Sequence, residues 1–190
     1  SQVYTFGPTF RAENSNTSRH LSEFWMIEPE VAFSNLKDNT LLAKDLLKYV
    51  CRYILDHYME DVLFLSERKE KEEAGLKQDQ RSKYNLITSI NKIVDAPFIT
   101  VSYTEAFNLL KNSKKNKKNK FVFPIRDWGI DFQSEHERFL VENEFDQPVI
   151  ITDYPKDIKA FYMRLNDDNK TVAAMDVLFP GVGEIIGGSQ

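Results

Sequence analysis

Cysteine is almost absent from this sequence, which has one thiol, Cys51, in 190 residues. A single cysteine excludes an intrachain disulfide and a cysteine-based zinc cluster, and it fits a reducing, cytosol-like compartment. Glycine and proline are also scarce, at seven residues each, which excludes collagen-like and linker-type chains. No apolar run approaches the roughly 20 residues that span a bilayer. The first residues also lack the basic region followed by an apolar stretch that is typical of a signal peptide. These absences predict a globular, cytoplasmic protein that is not embedded in a membrane.

The composition is that of a folded chain with little excess charge. Hydrophobic residues make up 42% of the chain and charged residues 28%, and the formal net charge is −4. A length of 190 residues suits one domain and is too short for two comfortable ones. The slight acidic balance argues against a protein that coats nucleic acid through bulk charge, although a local basic surface stays open.

Two segments near the start alternate between apolar and polar residues. Residues 3–13 and residues 24–33 both show this period of two, and the polar, turn-prone residues 14–22 separate them. Alternation of this kind is typical of strands with one buried face. The pattern therefore predicts a long antiparallel hairpin with one apolar, packed face.

The other face of that hairpin carries charges. Arg11 and Glu13 share a face of the first strand, and Glu28 and Glu30 share a face of the second. Fixed charges on rigid strands suit a polar ligand bound on the sheet. The alternative is ordinary cross-strand salt bridging on a solvated face, and the pattern alone favours it slightly.

The remaining chain alternates helical and strand-like patterns. Spacings of three and four predict a helix over residues 41–65, and Ser134 with Glu137 resembles a capping box that starts a helix ending near Glu144. Further helices are expected at 84–94 and 104–110, and strands at 98–103, 149–152, 160–165, 171–178 and 184–186. This order predicts an α+β fold, a mainly antiparallel β-sheet flanked by helices.

Two polar stretches are expected to lie outside the core. Residues 67–82 are charged and predict a solvated helix extension or loop, and residues 111–120 hold six lysines. The favoured interpretation of residues 111–120 is a mobile surface insertion that buries nothing. The alternative, a loop that contacts nucleic-acid phosphates, is not established by ten residues of low complexity.

Isolated candidates for chemistry have simpler explanations. His57 falls on the apolar stripe of a helix and is expected to be a packed core histidine, while His136 is expected to make local hydrogen bonds in its capping turn. Cys51 has no partner histidine signature and is expected to be structural. No transition-metal site is predicted.

Several residue strings go beyond these patterns. Residues 10–15, 19–24 and 28–30 (FRAENS, RHLSEF and EPE) form a strand, a loop and a strand at fixed spacing. They resemble motif 2 of class II aminoacyl-tRNA synthetases of the aspartyl/asparaginyl group. The strings YPKDIKAFYMR at 154–164, WGIDFQSEHER at 128–138 and GEIIGGSQ at 183–190 resemble asparaginyl-tRNA synthetases. The resemblance covers nearly the whole chain, with motif 2 at residues 4–33, and it implies the class II catalytic-domain fold.

The resemblance implies roles for residues at matching motif positions. Arg11 would act catalytically, contacting the ATP α-phosphate and the amino acid carboxylate, and Glu28 would face the amino acid. Glu13 would accept a hydrogen bond from the adenine amino group, and Phe24 would stack on the adenine ring. The full set implied for ATP comprises Arg11, Ala12, Glu13, Arg19, His20, Leu21, Phe24 and Glu184. The set implied for the amino acid comprises Arg11, Glu28 and Glu184.

The resemblance also implies the cofactors ATP and Mg²⁺, with Asp176 and Glu184 as the metal ligands. In many aspartyl enzymes a serine stands three residues after the glutamate, whereas this chain has Gly187 there, which favours the asparaginyl assignment. The implied function is asparagine–tRNA ligase, acting on asparagine and tRNA(Asn) as a homodimer. Two alternatives stay open: an asparagine synthetase paralogue of the same fold, and a non-catalytic binding protein that kept the fold.

The chain is expected to be an internal part of the catalytic domain. In the family, motif 1 precedes this region, and motif 3 follows it with further ATP and amino acid contacts. An anticodon-binding domain is expected elsewhere in the complete protein. Residues 1–190 alone are therefore expected to lack pyrophosphate exchange.

Overall fold

The computed structural model describes residues 1–12, 20–78 and 81–190. The chain divides into two compact units, Ser1–Asn35 and Leu36–Gln190, where the sequence predicted one domain. The first unit is a two-stranded hairpin, and the second contains the helices and a four-stranded sheet.

The hairpin of the first unit confirms the predicted antiparallel pair. Strand β1 spans Gln2–Phe10 and strand β2 spans Glu23–Val31. Phe6 lies opposite Ile27 and Thr5 lies opposite Glu28, so the apolar and the charged residues separate onto opposite faces.

The expectation of a packed apolar face is wrong for this unit. Phe6 and Trp25 meet edge to face with their ring centroids 5.2 Å apart, yet each is more than 60% exposed. Two strands can cover each other's edges but not their own broad faces, and burial of a face needs a second layer.

The second unit begins with helices. Helix α1 spans Leu36–His57, α2 spans Met59–Glu73 and α3 spans Leu86–Asp95. Strand β3 (Ile99–Ser102) leads into α4 (Tyr103–Asn112), whose capping box joins Ser102 and Glu105. The remaining elements are α5 (Lys114–Lys117), α6 (Ser134–Phe139), a π-helical turn (Leu140–Glu144), β4 (Val149–Pro155), β5 (Thr171–Phe179) and β6 (Gly183–Ser189).

The sheet of the second unit has the order β3-β4-β5-β6. Strand β3 runs parallel to β4, and the other two pairings are antiparallel. Together with the hairpin, this arrangement confirms the predicted α+β class with a mainly antiparallel sheet.

Helices cover both faces of this sheet and create two apolar cores. One core joins α4 and α6 to the face that carries Ile151, Ala174 and Leu178. The other joins α1 and α3 to the opposite face, through Ile150 and Val177. Strand β5 lies between the two layers, and all nine of its residues are buried. The sheet is therefore rigid where β5 and β6 carry their polar groups.

Two predicted elements differ from the structure. The helix predicted over residues 41–65 is two helices that separate at Tyr58, whose φ of −131° is not helical. The strand predicted at residues 160–165 is a series of turns in which only Leu165 forms a bridge, with Val172. The apolar residues of 160–165 come just after a short helical turn, Lys156–Ile158, and the chain does not extend into a strand there.

The first polar stretch agrees with the predicted solvated helix extension, and the second is more ordered than its composition indicates. Helix α2 continues through the charged residues to Glu73, and Ser66 on it is buried. Residues 111–120 contain α5, and the side chain of Asn116 bonds to the backbone of Ile125 through both its oxygen and its nitrogen. Ser113, Lys115 and Asn116 are half-buried and no residue of 111–120 is fully buried, so the segment lies at the surface as expected but is held by hydrogen bonds.

His57 departs from its expected role, whereas His136 makes the local hydrogen bond expected in its capping turn. His57 is exposed at the end of α1, with its ring centroid 4.3 Å from that of Tyr53 and the two rings tilted by 43°, so it is not a core histidine. His136 is fully buried: its Nε2 donates to the Phe123 carbonyl at 2.7 Å, and its Nδ1 accepts from the Gln133 N–H at 3.0 Å. The N-cap of α6 is therefore Gln133, one residue before the predicted Ser134.

Cys51 is half-buried and packs against the core beneath α1, where burial raises the pKa of its thiol. This agrees with the expected structural role. In the described part of the chain, no helix combines the length and apolarity needed to cross a bilayer.

We predict that His136→Gln lowers the free energy of unfolding by about 1–3 kcal/mol. The reason is that the Phe123 carbonyl and the Gln133 N–H lose the imidazole nitrogens that pair with them. Burial lowers the pKa of His136, so the folded state keeps the ring neutral while the unfolded state takes up a proton below about pH 6.5. Wild-type stability should therefore fall as the pH drops below 6.5, and the loss should be smaller in the variant.

Denaturant unfolding between pH 8 and pH 5 measures this difference. His57→Gln, which changes an exposed ring, is the matched control and should keep the wild-type pH dependence. An identical pH dependence in His136→Gln and wild type would contradict the buried neutral state.

Candidate active site

Two carboxylates converge at one position of the central sheet. Asp176 lies on β5 opposite Gly187 of β6, and Glu184 lies three residues before that glycine. A Cβ atom added to Gly187 would lie 3.1 Å from Oε1 of Glu184 and 3.5 Å from Oδ1 of Asp176. The glycine therefore leaves open the space between the two carboxylates, and a side chain at this position would crowd both.

A β-bulge brings these carboxylates onto the same face. Asp176 pairs with Gly187, whereas Leu178 pairs with Glu184, so three residues of β6 match two residues of β5. In a regular strand, residues three apart point to opposite faces. The extra residue of the bulge turns Glu184 to the same face as Gly187 and Asp176. Bulges near functional sites often redirect a side chain in this way.

Lys159 neutralises one side of the pair. Its Nζ lies 2.7 Å from Oδ2 of Asp176, and the same ammonium lies 4.0 Å from the ring centroid of Tyr154. The Lys159 and Asp176 side chains are only 20% and 12% exposed. A buried carboxylate needs such a partner, because an unpaired charge in the interior is costly. Burial, together with the nearby charge of Asp176, raises the pKa of Tyr154 well above its usual range, so the phenol stays neutral.

The geometry fits a cation that is shared with a phosphate ligand. Carboxylate oxygens are hard donors, and Mg²⁺ in nucleotide sites commonly takes one or two carboxylates and completes its shell from phosphates and water. Oδ1 of Asp176 and Oε1 of Glu184 face the open space at Gly187, while Oδ2 of Asp176 is held by Lys159. No group of three or more His, Cys, Asp or Glu side chains gathers as a metal cage within residues 1–12, 20–78 and 81–190. The donor set therefore suits a cation bound together with substrate.

The hairpin of the first unit holds a second polar group. The guanidinium carbon of Arg11 lies 5.4 Å from the centroid of the Phe24 ring, and Thr5 Oγ1 donates to Glu28 at 3.1 Å. Arg11, Phe24 and Glu28 lie on the face that the sequence assigned to the charges. Cation–π contact and the hydrogen bond fix these side chains on paired strands, which is the kind of rigid platform that a bound ligand needs.

Motif 2 contains five further positions that are predicted to contact ATP. Glu13 and Arg19 lie outside the described residues. Ala12, His20 and Leu21 are exposed at the end of the hairpin, beyond the last paired residues. Their predicted contacts with ATP stay predictions.

Lys159 and Tyr154 are participants that the sequence patterns did not single out. Lys159 lies 17 residues from Asp176, and no periodic signal connects a lysine in a turn to a carboxylate on a later strand. One chemical signal in the sequence could have indicated such a partner. An aspartate on a buried strand requires a cation or hydrogen-bond donors from elsewhere in the chain.

The sheet and the hairpin define an α+β fold in which two groups of charged side chains could bind a polar ligand. The chain belongs to the class II tRNA synthetases (D, K and N), whose family model matches residues 1–190. The resemblance found in the sequence is thereby confirmed.

Relatives and solved structures point to one branch of this family. The chain is 56% identical over 190 residues to an asparagine–tRNA ligase of Xanthomonas euvesicatoria pv. vesicatoria, and 56% identical over 189 residues to one of Cytophaga hutchinsonii. It aligns with the crystal structure of asparaginyl-tRNA synthetase from Pyrococcus horikoshii complexed with asparaginyl-adenylate, with a TM-score of 0.76 and 34% identity. Each match covers 100% of this chain and 37% of the other. The chain thus spans a little over a third of the length of these relatives.

We predict that Lys159→Met lowers the free energy of unfolding by about 2 kcal/mol, because the Asp176 carboxylate loses its partner in a largely buried position. Adding Asp176→Asn should recover part of this loss, with a coupling energy of about 1–2 kcal/mol. Denaturant unfolding of the two single variants and the double variant measures the coupling.

Lys170→Met, which removes an exposed lysine, is the control and should change stability by less than about 0.5 kcal/mol. Additive effects of Lys159→Met and Asp176→Asn would contradict the pairing.

Proposed function

We propose that the protein carrying this chain is an asparagine–tRNA ligase. The observation that carries the proposal is 56% identity to asparagine–tRNA ligases. The matches extend along the entire chain and include the hairpin and the strands β5 and β6 that carry Asp176 and Glu184. The likeness to a synthetase complexed with asparaginyl-adenylate supports the same assignment. The open position at Gly187, where aspartyl relatives often carry serine, also supports an asparaginyl enzyme.

The proposed reaction has two steps. A carboxylate oxygen of asparagine attacks the α-phosphorus of ATP, the bond from this phosphorus to the bridging oxygen breaks, and pyrophosphate leaves. A terminal ribose hydroxyl of tRNA(Asn) then attacks the carbonyl carbon of the adenylate and AMP leaves. The attack on phosphorus brings anionic oxygens together, so catalysis depends on positioning and on opposite charge.

Arg11 is proposed as the residue that neutralises this charge. Its planar guanidinium can donate to both a phosphate and a carboxylate, and its position over Phe24 limits the conformations it samples. Glu28, fixed by Thr5, is proposed to face the amino acid, and Phe24 to stack on the adenine. The remaining proposed ATP contacts are Ala12, Glu13, Arg19, His20 and Leu21.

Asp176 and Glu184 are proposed to hold Mg²⁺, with Glu184 also close to ATP and the amino acid. The cation would supply charge neutralisation for the phosphates of ATP. Lys159 positions Asp176 by holding Oδ2, which leaves Oδ1 toward the open space at Gly187. The complete protein is proposed to act as a homodimer in the cytoplasm, where its tRNA is found.

Amino-acid-dependent exchange of pyrophosphate into ATP by the full-length protein tests this function. Asparagine should support exchange at least about 100-fold faster than aspartate, because Glu28, which is proposed to face the amino acid, would repel a second carboxylate. Equal exchange with both amino acids would refute the asparaginyl assignment. Exchange with aspartate alone would favour a synthetase paralogue, and no exchange at all would favour a binding protein.

Arg11→Ala in the full-length protein is expected to lower the exchange rate by about 10²–10³, because one preorganised charge is lost from the transition state. Arg11 is exposed, so the melting temperature should stay within a few degrees of wild type. Arg126→Ala, another arginine that is exposed and lies outside the hairpin, should keep normal exchange. Near-normal exchange in Arg11→Ala would contradict its role.

A further inference from the structure

Charge is strongly segregated in one short segment of this acidic protein. Residues 111–126, called here the basic loop, contain six lysines and one arginine and no aspartate or glutamate, while the chain as a whole has a net charge of −4. Lys114, Lys117, Lys118 and Lys120 are exposed, and none of them takes part in an ion pair with another described residue. Their ammonium groups therefore face solvent and are not neutralised by carboxylates of the described residues.

The basic loop is held in place by a dense set of hydrogen bonds. The Asn116 side chain donates to the carbonyls of Lys111 and Ile125, at 3.1 and 3.0 Å, and accepts from the Ile125 N–H at 2.9 Å. Ser113 caps the short helix α5 by accepting from the Asn116 N–H. Phe121 and Ile125 are buried, which anchors the end of the loop in the core. A binding surface that is ordered in advance loses little conformational entropy on association.

Apolar groups lie beside the lysines on the same loop. Val122 is 79% exposed and Phe123 is 57% exposed. The backbone of Phe123 is fixed on both sides, because its N–H donates to Glu135 at 2.8 Å and its carbonyl accepts from buried His136 at 2.7 Å. An exposed aromatic ring on a rigid backbone among cations is typical of surfaces that contact phosphates and stack a base.

We propose that the basic loop is a binding surface for the phosphodiester backbone of RNA, with Lys114, Lys117, Lys118 and Lys120 contacting phosphates and Phe123 available to a base. Lys111 and Lys115 have structural roles, since each ammonium lies over a phenylalanine ring, Phe107 at 5.3 Å and Phe121 at 4.6 Å. The choice of RNA among polyanions rests on the proposed function, in which the substrate is a tRNA. Two exposed apolar side chains supply too little area for stable membrane attachment, which disfavours an anionic lipid surface.

The test compares two variants of the full-length protein with equal changes in charge. The loop variant replaces Lys114, Lys117, Lys118 and Lys120 with glutamine and keeps the anchoring residues. The control variant replaces four exposed lysines elsewhere with glutamine: Lys37, Lys71, Lys77 and Lys170. Binding of unfractionated tRNA is measured from about 50 to 300 mM KCl, alongside asparagine-dependent pyrophosphate exchange without tRNA.

The loop variant should bind tRNA at least about tenfold more weakly at low salt. The slope of log affinity against log salt should fall by about one for each lysine that contacts a phosphate, and therefore by about three to four for the four lysines replaced. The control variant should keep both affinity and slope, and pyrophosphate exchange should be unchanged in both variants.

Unchanged affinity and slope in the loop variant would overturn the proposal, even where exchange is normal and the proposed function stands. An equal loss in both variants would also overturn it, because only bulk charge would then matter. Binding of wild type to phosphatidylserine vesicles, abolished in the loop variant while tRNA binding is kept, would assign the surface to lipid instead. Absence of exchange in wild type would refute the proposed function separately.

Discussion

The ion pair between Lys159 and Asp176 is the interaction on which the second unit's site depends. Strand β5 is buried along its whole length between two helical layers, and it still carries an aspartate. A carboxylate in that position must be neutralised, and the ammonium of Lys159 at 2.7 Å does so from a turn outside the sheet. The pairing fixes one oxygen and leaves the other beside Gly187, where the bulge of β6 places Glu184. Buried charge thus gives the site a fixed geometry.

Much of the fold follows from periodicity in the sequence. Alternation predicted β1 and β2 with the correct separation of apolar and charged faces, because a strand has a period of two whatever its partner. The carboxylates Asp176 and Glu184 and the hairpin residue Arg11 were assigned from motif resemblance, and the structure brings the two carboxylates together on one face. Their pairing needed the bulge, which no periodic pattern reveals.

The mistaken predictions share a physical cause, since each depended on contacts between distant residues. The helix break at Tyr58 has no proline or glycine to signal it. His57 falls on the apolar stripe of its helix and is nevertheless exposed, because burial depends on which layer the helix meets. Residues 111–120 have a disordered composition, and hydrogen bonds from Asn116 together with the buried Phe121 and Ile125 give them a fixed path. Lys159 was missed for the same reason, because its partner is distant in sequence.

The most direct test of the central claim is a crystal structure of the full-length protein with asparagine, a non-hydrolysable ATP analogue and Mg²⁺. We expect a cation coordinated by Oδ1 of Asp176 and Oε1 of Glu184 and by phosphate oxygens. Lys159 should still be paired with Oδ2 of Asp176, and the space at Gly187 should be filled by ligand or water. A cation bound to phosphates without either carboxylate, or Lys159 turned away from Asp176, would contradict it.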